Sequence, residues 1–146
     1  MKNNLIITEA SVSDYPTLQA IWARSVKATH DFLAKEDFDY YKEKLISDYF
    51  CQVSLYAGKK EEKIVGFIGL AEDFIEMLFI DPDYQHQGIG KELVCFACQH
   101  HQVRRVDVNE QNKQALAFYQ KQGFNVTARS ETDGQDRPYP ILHLKK

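Results

Sequence analysis

Gln85-His86-Gln87-Gly88-Ile89-Gly90 is the stretch of this chain best suited to hold a charged ligand. An apolar run, Ile75 to Ile80, enters it through Asp81-Pro82-Asp83. Lys91 to Ala97 leaves it with Leu93, Val94, Phe96 and Ala97 at helical spacing. Glycines at such a turn let the backbone curl closely around a ligand, and the first N–H groups of the helix lack intrahelical acceptors. An anion fits there, most often a phosphate. A tight connection with no ligand would use the same glycines. A P-loop is excluded because Gln85 stands where its first Gly belongs and Glu92 where its Ser or Thr belongs; a dinucleotide fingerprint lacks its third Gly.

The other ligand-type cluster is Cys95-x-x-Cys98 with His100 and His101 close behind. It lacks a second ligand pair and lies in a glycine-free, helix-like run, so the cysteines are expected to be buried on a helix face, with no metal. With Cys51 the cysteines are odd in number, which argues against a disulfide framework and for a reducing compartment. A formal charge of -3, 44% hydrophobic and 27% charged residues describe an ordinary globular chain and point to neither nucleic acid nor an acidic membrane as partner. No apolar run reaches the roughly 18 residues of a membrane span, and the segment after Met1-Lys2-Asn3-Asn4 is too short for a signal peptide. The cytoplasm is the expected location. The 146 residues are expected to form one domain, 1–146.

Positioning that turn requires elements on both sides. Leu5 to Thr8 reads as a strand. Asp14 as N-cap and Pro16 in the first turn open a helix whose Leu18, Ile21, Trp22 and Val26 share a face; it ends near Lys27. A connection, Ala28 to Leu33, leads to a second helix from about Lys35 to Phe50. Gln52 to Ala57 and Lys63 to Leu70 read as strands flanking a polar turn, Gly58 to Glu62, and Ala71-Glu72-Asp73 turns into the strand 74–80. The helix 88–101 must then cross back, so the strand Arg105 to Val108 is expected to run parallel to its predecessor. Lys113 to Gln122 forms a helix stopped by Gly123, and Phe124 to Thr132 and Tyr139 to Leu144 form two closing strands. The order is β-α-α-β-β-β-α-β-α-β-β, an α/β (α+β) class.

Two motifs now stand together: Gln85-x-x-Gly88-x-Gly90 behind Leu78-x-Ile80-Asp81-Pro82, and Asn112 with Ala115, Phe118-Tyr119, Lys121 and Gly123-Phe124. Their identities, separation and strand-helix-strand setting resemble the GCN5-related N-acetyltransferases (GNAT). The resemblance extends over the whole chain, and Ile21 to Leu33 is similar to the corresponding segment of one small bacterial subgroup. It implies the GNAT fold, a mixed, mostly antiparallel seven-stranded sheet flanked by four helices, with acetyl-CoA as acyl donor. Leu78, Phe79 and Ile80 match the strand that pairs with the pantetheine arm and polarises the thioester carbonyl. His86, Gln87, Gly88, Ile89, Gly90 and Lys91 match the loop that holds the pyrophosphate. Asn112 matches a cofactor-contacting side chain, and Tyr119 matches the general acid beside the cofactor.

Acetyl transfer from a thioester to an amine needs a neutral amine, a donor for the developing oxyanion and a proton for the departing thiolate. A lysine-type amine has a pKa of about 10.4, so a base must take its proton at neutral pH. Tyr119 suits the acid; the alternative is a core aromatic on a helix face. Strand alternation puts Phe74, Glu76, Leu78 and Ile80 on one face, where Glu76 among apolar neighbours would be poised as base, or would be a solvated strand residue. Phe74 itself carries no base. Asp107 aligns with a second base position in other relatives. His30, whose imidazole titrates near 6.5 when unperturbed, offers a third route, or is an exposed loop residue. Trp22, Arg24, Phe32, Tyr139 and His143 are candidates for the acceptor side, with core or ordinary strand positions as alternatives. The expected function is acetyl-CoA-dependent transfer to a primary amine (a small amine, an amino-acid derivative or a protein lysine) by direct attack in a ternary complex. A homodimer is compatible with it. A non-catalytic acyl-CoA-binding module is the alternative.

Overall fold

The apolar alternation in the middle of the chain folds into three antiparallel strands: β2 (Ser54–Lys60), β3 (Lys63–Ala71) and β4 (Phe74–Ile80). A computed structural model of the chain describes residues 5–29 and 33–146; His30 and Phe32 lie outside the described residues. The β2–β3 hairpin closes over Glu61-Glu62, with φ of 51° and 66°. This is the left-handed geometry of a two-residue hairpin turn, which matches the twist of the strands it joins. The expected five-residue turn is therefore too long, because Gly58, Lys59 and Lys60 still pair with β3.

The remaining elements are β1 (Ile6–Glu9), α1 (Tyr15–Thr29), α2 (Lys35–Lys44), α3 (Ile89–His101), β5 (Arg105–Asn109), α4 (Lys113–Lys121), β6 (Asn125–Ser130) and β7 (Ile141–Lys145). The cap before α1 is Ser11 rather than Asp14. Its backbone N–H donates to the Asp14 carboxylate at 2.9 Å, and a short 3₁₀ turn, Val12–Asp14, precedes the helix. Beyond α2 the chain continues through a wide π turn, Leu45–Tyr49, and a 3₁₀ turn, Phe50–Gln52, which completes the expected second helical segment.

The sheet has seven strands in the order β1-β2-β3-β4-β5-β7-β6, and β4–β5 is its one parallel pair among the described residues. This is the GNAT architecture expected from the motifs. Helices cover both faces. On one, Ile89, Leu93, Val94 and Ala97 of α3 and Tyr119 of α4 pack with Ile68, Ile75, Val106 and Leu144. On the other, Leu18, Ile21, Trp22 and Val26 of α1 pack with Leu45, Phe50, Leu55 and Phe67. Trp22 is 6% exposed and stacks on Phe38 at 5.2 Å, so it belongs to this core.

β4 departs from strict alternation. Leu70 pairs with Ile75 and Gly69 with Met77, so Glu76 is an extra residue with no partner on β3. The bulge inverts the pattern. Ile75, Leu78 and Ile80 pack towards α3 and α4, while Met77 and Phe79 pack towards α1. Phe74, Glu76, Leu78 and Ile80 therefore do not share one face.

Candidate active site

The two parallel strands β4 and β5 pair only at Phe74 with Arg105 and at Ile75 with Val106. Beyond that point they part, and a cleft of about 710 Å³ opens between them. Its walls are β4 from Ile75 to Ile80, β5 from Val106 to Asn109, the turn before α3, and the inner side of α4. The edge of β4 past Ile75 faces this cleft with no strand beside it among the described residues. Such an edge offers backbone donors and acceptors to an extended ligand, which would add to the sheet as a strand does.

The turn that caps the cleft is built by local hydrogen bonds. Asp81, 1% exposed, accepts from the Asp83 N–H at 3.0 Å and opens the 3₁₀ turn Pro82–Tyr84. The same carboxylate takes the Arg24 guanidinium at 2.5 Å, fastening α1 to the turn. His86 has φ of 63°, and Gly88, the N-cap of α3, has φ of 81°. Gly88 supplies the left-handed conformation at no steric cost, and the orphan N–H groups of α3 then start at the cleft. The macrodipole of the helix favours an anion at that end by about 0.3–1 kcal/mol. His86, Gly88, Ile89, Gly90 and Lys91 line the cleft, whereas the Gln87 side chain turns away and accepts from Lys60 Nζ at 2.9 Å.

Leu78, Phe79 and Ile80 line the cleft from β4, and Asn112 and Tyr119 from the α4 side. Asn112 is also the N-cap of α4, its Oδ1 accepting the Ala115 N–H at 3.0 Å, so that oxygen is committed to the helix. Tyr119, 6% exposed, sits between Phe118 and Phe124 with ring centroids 5.0 and 5.7 Å away. Burial pushes its phenol well above the ordinary tyrosine value, so it stays protonated and able to donate.

Glu76 lines the cleft from its bulge. Its side chain reaches solvent, yet partial desolvation by the surrounding walls and, secondarily, the charge of Asp107 raise its proton affinity above the usual carboxylate value. Asp107 lies across from it on β5 and also lines the cleft. The cleft therefore brings together Glu76, Tyr119 and the loop residues. His30 lies outside the described residues.

Of the residues weighed for the acceptor side, Arg24 is committed to Asp81. Tyr139 is buried and donates to the Asp37 carboxylate, which also takes Arg137 Nη1 at 2.7 Å. Sequence reasoning missed this network, whose members are about a hundred residues apart, and it missed Ser25 of α1 in the cleft wall. The cysteines depart from expectation: Cys51 and Cys95 are exposed and Cys98 is half-buried, and all three are free thiols. The inward stripe of α3 is Leu93, Val94 and Ala97, which turns Cys95 outward. Among the described residues no helix is long and apolar enough to cross a membrane.

A sheet split between its two parallel strands, with a glycine-capped helix at the mouth of the split, defines the class. Residues 52–126 match the family model of the acetyltransferase (GNAT) domain, and the chain belongs to the GCN5-related N-acetyltransferases. It is similar to the peptidyl-lysine N-acetyltransferase YjaB of Salmonella typhimurium, with 47% identity over 128 residues, covering 87% of this chain and 88% of that protein. The solution structure of apo-form YjaB from Escherichia coli superposes with a TM-score of 0.89 at 39% identity, covering 97% of this chain and 96% of that one. The PaiA N-acetyltransferase of Thermoplasma acidophilum, crystallised with coenzyme A, shares the fold at a TM-score of 0.76 and 24% identity, covering 98% and 99% of the two chains.

Proposed function

We propose that this chain, as one N-acetyltransferase domain, transfers the acetyl group of acetyl-CoA to a primary amine by direct attack, with a protein lysine as the acceptor. The observation that carries this reading is the parting of β4 and β5 beside Gly88, which leaves a backbone edge and a helix N-terminus on one cleft that also holds Glu76 and Tyr119. The residues present fit the donor: an unpaired strand edge for an amide-bearing arm, and α3 N–H groups with Lys91 for its phosphates. The lysine acceptor is supported by the activity named for the similar YjaB protein.

Bound acetyl-CoA would supply an activated acyl carbon and a thiolate leaving group. Leu78, Phe79 and Ile80 would hold the acyl arm through the backbone of β4, with a β4 N–H donating to the carbonyl oxygen as it gains charge. Glu76, with its raised proton affinity, would accept the proton of the incoming ammonium. Tyr119 would donate its phenolic proton to the departing sulfur and be reprotonated by the second proton that the nitrogen sheds as the amide forms.

A panel of lysine peptides, free amino acids and small polyamines, assayed for acetyl-CoA-dependent thiol release, tests this reading. Release is expected with the lysine peptides. Tight acetyl-CoA binding without release for any acceptor would leave the non-catalytic acyl-CoA-binding module in its place.

A further inference from the structure

Beside the cleft, three neighbouring strands carry a hydrogen-bonded chain that the reaction as described does not use. Asp107 on β5 and His143 on β7 face each other in register. His143 Nδ1 lies 2.7 Å from Asp107 Oδ1, and its Nε2 lies 2.7 Å from the Ser130 hydroxyl at the end of β6. An ionised carboxylate can only accept, so Nδ1 carries a hydrogen, while Nε2 accepts from the Ser130 hydroxyl when the ring is neutral and donates to it when the ring is protonated. The ring is thus held at both nitrogens. Asp107 lines the cleft, whereas His143 and Ser130 do not, so Ser130 is not placed to attack an acyl group.

Of the charged groups around this chain, Arg105 also feels the charge of Asp107, but its hydrogen bonds go to another carboxylate. On β5, Arg105 is fastened to Asp73, with its closest contact at 2.7 Å. On β6, Arg129 is held by Glu110 and Glu131. Lys145 pairs across from Arg105 two residues along β7. Asp107 therefore has His143 as its hydrogen-bonding side-chain partner among the described residues, and Glu76 as the carboxylate it acts on across the cleft.

We propose that His143 is a positioning residue for the proton-accepting step: with its ring locked by Ser130, it holds the Asp107 carboxylate fixed opposite Glu76. This rests on the transferase reading above. Asp107 then places a second negative charge on the side of the cleft that an acceptor ammonium must approach. It draws that cation in and keeps Glu76 ready to take its proton. His143 touches neither the donor nor the reacting atoms and acts only through Asp107.

The test compares the wild-type protein with His143→Ala and His143→Asn, whose amide nitrogen stands in for Nδ1. It measures pH profiles of kcat/KM for a lysine peptide, acetyl-CoA affinity, and carboxyl carbon-13 NMR titrations of Asp107 and Glu76. His143→Ala is expected to lower kcat/KM about tenfold at neutral pH. Asp107 titrates at higher pH in that variant, because a carboxylate that loses a hydrogen-bond donor binds its proton more tightly, and the acid limb set by Glu76 shifts with it through the coupling of the two carboxylates. Acetyl-CoA affinity stays unchanged, and His143→Asn restores the limb and the Asp107 titration. An alanine variant with the wild-type pH profile and an unchanged Asp107 titration overturns the proposal. A wild-type protein that transfers no acetyl group overturns the transferase reading and this inference with it, and shows that before any variant is made.

Discussion

Gly90 of α3 lies against the ring of Phe118 on α4, and a Cβ at that position would stand 3.3 Å from the ring carbon Cζ. The two helices that border the cleft thus meet where one of them has no side chain. Gly90→Val would push Phe118 outward and shift the mouth of the cleft, at a cost of about 1–3 kcal/mol in stability from overpacking. Urea unfolding should show this loss, and calorimetry a drop in acetyl-CoA affinity of about tenfold or more, equivalent to 1.4 kcal/mol. Unchanged affinity would remove Gly90 from the binding loop.

Tyr119→Phe removes the hydroxyl and keeps the ring packing against Phe118 and Phe124. Turnover should fall about a hundredfold if the phenol supplies the leaving-group proton. Acetyl-CoA affinity should stay within about twofold, because binding rests on the loop and on β4. Steady-state kinetics paired with calorimetry separate the two effects.

Glu76 titrates above the ordinary carboxylate value in the fold, mainly through burial and then through Asp107. As a base it must be ionised, so kcat/KM should rise with pH through its raised pKa, and Glu76→Gln should abolish that limb. Stability runs the other way. Between the unfolded value of about 4.3 and the raised folded value, the native state holds more proton than the unfolded chain, so the contribution of Glu76 to stability falls as pH rises. Glu76→Gln should therefore melt higher than wild type at pH 7, and the gain should vanish below about pH 4. Thermal melts at the two pH values check the sign.

Asp37, 9% exposed, receives Arg137 and Tyr139 and so fastens α2 to the 131–140 segment between β6 and β7. Tyr41 donates to Asp133 in the same region. Asp37→Ala strips two donors of their acceptor, whereas Arg137→Met removes one donor and leaves the Tyr139 bond intact. The alanine variant should have the lower melting temperature, since it loses both bonds and leaves the Arg137 charge unpaired, whereas the methionine variant keeps Asp37 bonded to Tyr139. Equal melting temperatures would show that the Tyr139 bond to Asp37 contributes nothing beyond the Arg137 pair.

The sequence showed element order and the parallel step from β4 to β5 because both follow from local periodicity and from the helix that must cross back. The glycine turn and the Asn112–Tyr119 segment were legible for the same reason: each is contiguous. What stayed hidden depends on pairing between distant strands. The bulge at Glu76 exists because Gly69 and Leu70 on β3 pair with Met77 and Ile75, and nothing in Ile75-Glu76-Met77 announces it. The extent of the β2–β3 hairpin was obscured because Lys59 and Lys60 look like turn residues yet pair to the end of the strand. The Asp107–His143–Ser130 chain and the Asp37–Arg137–Tyr139 network join residues from separate strands and helices, which periodicity along one element cannot register.

The most direct test is mass spectrometry of the protein mixed with acetyl-CoA and a lysine peptide, with free thiol counted in parallel. The predicted result is one acetyl group on a lysine side chain for each thiol released, with the intact mass of the protein unchanged throughout. An acetylated form of the protein that forms without peptide and then passes its acetyl group to the lysine would contradict direct attack in the β4–β5 cleft.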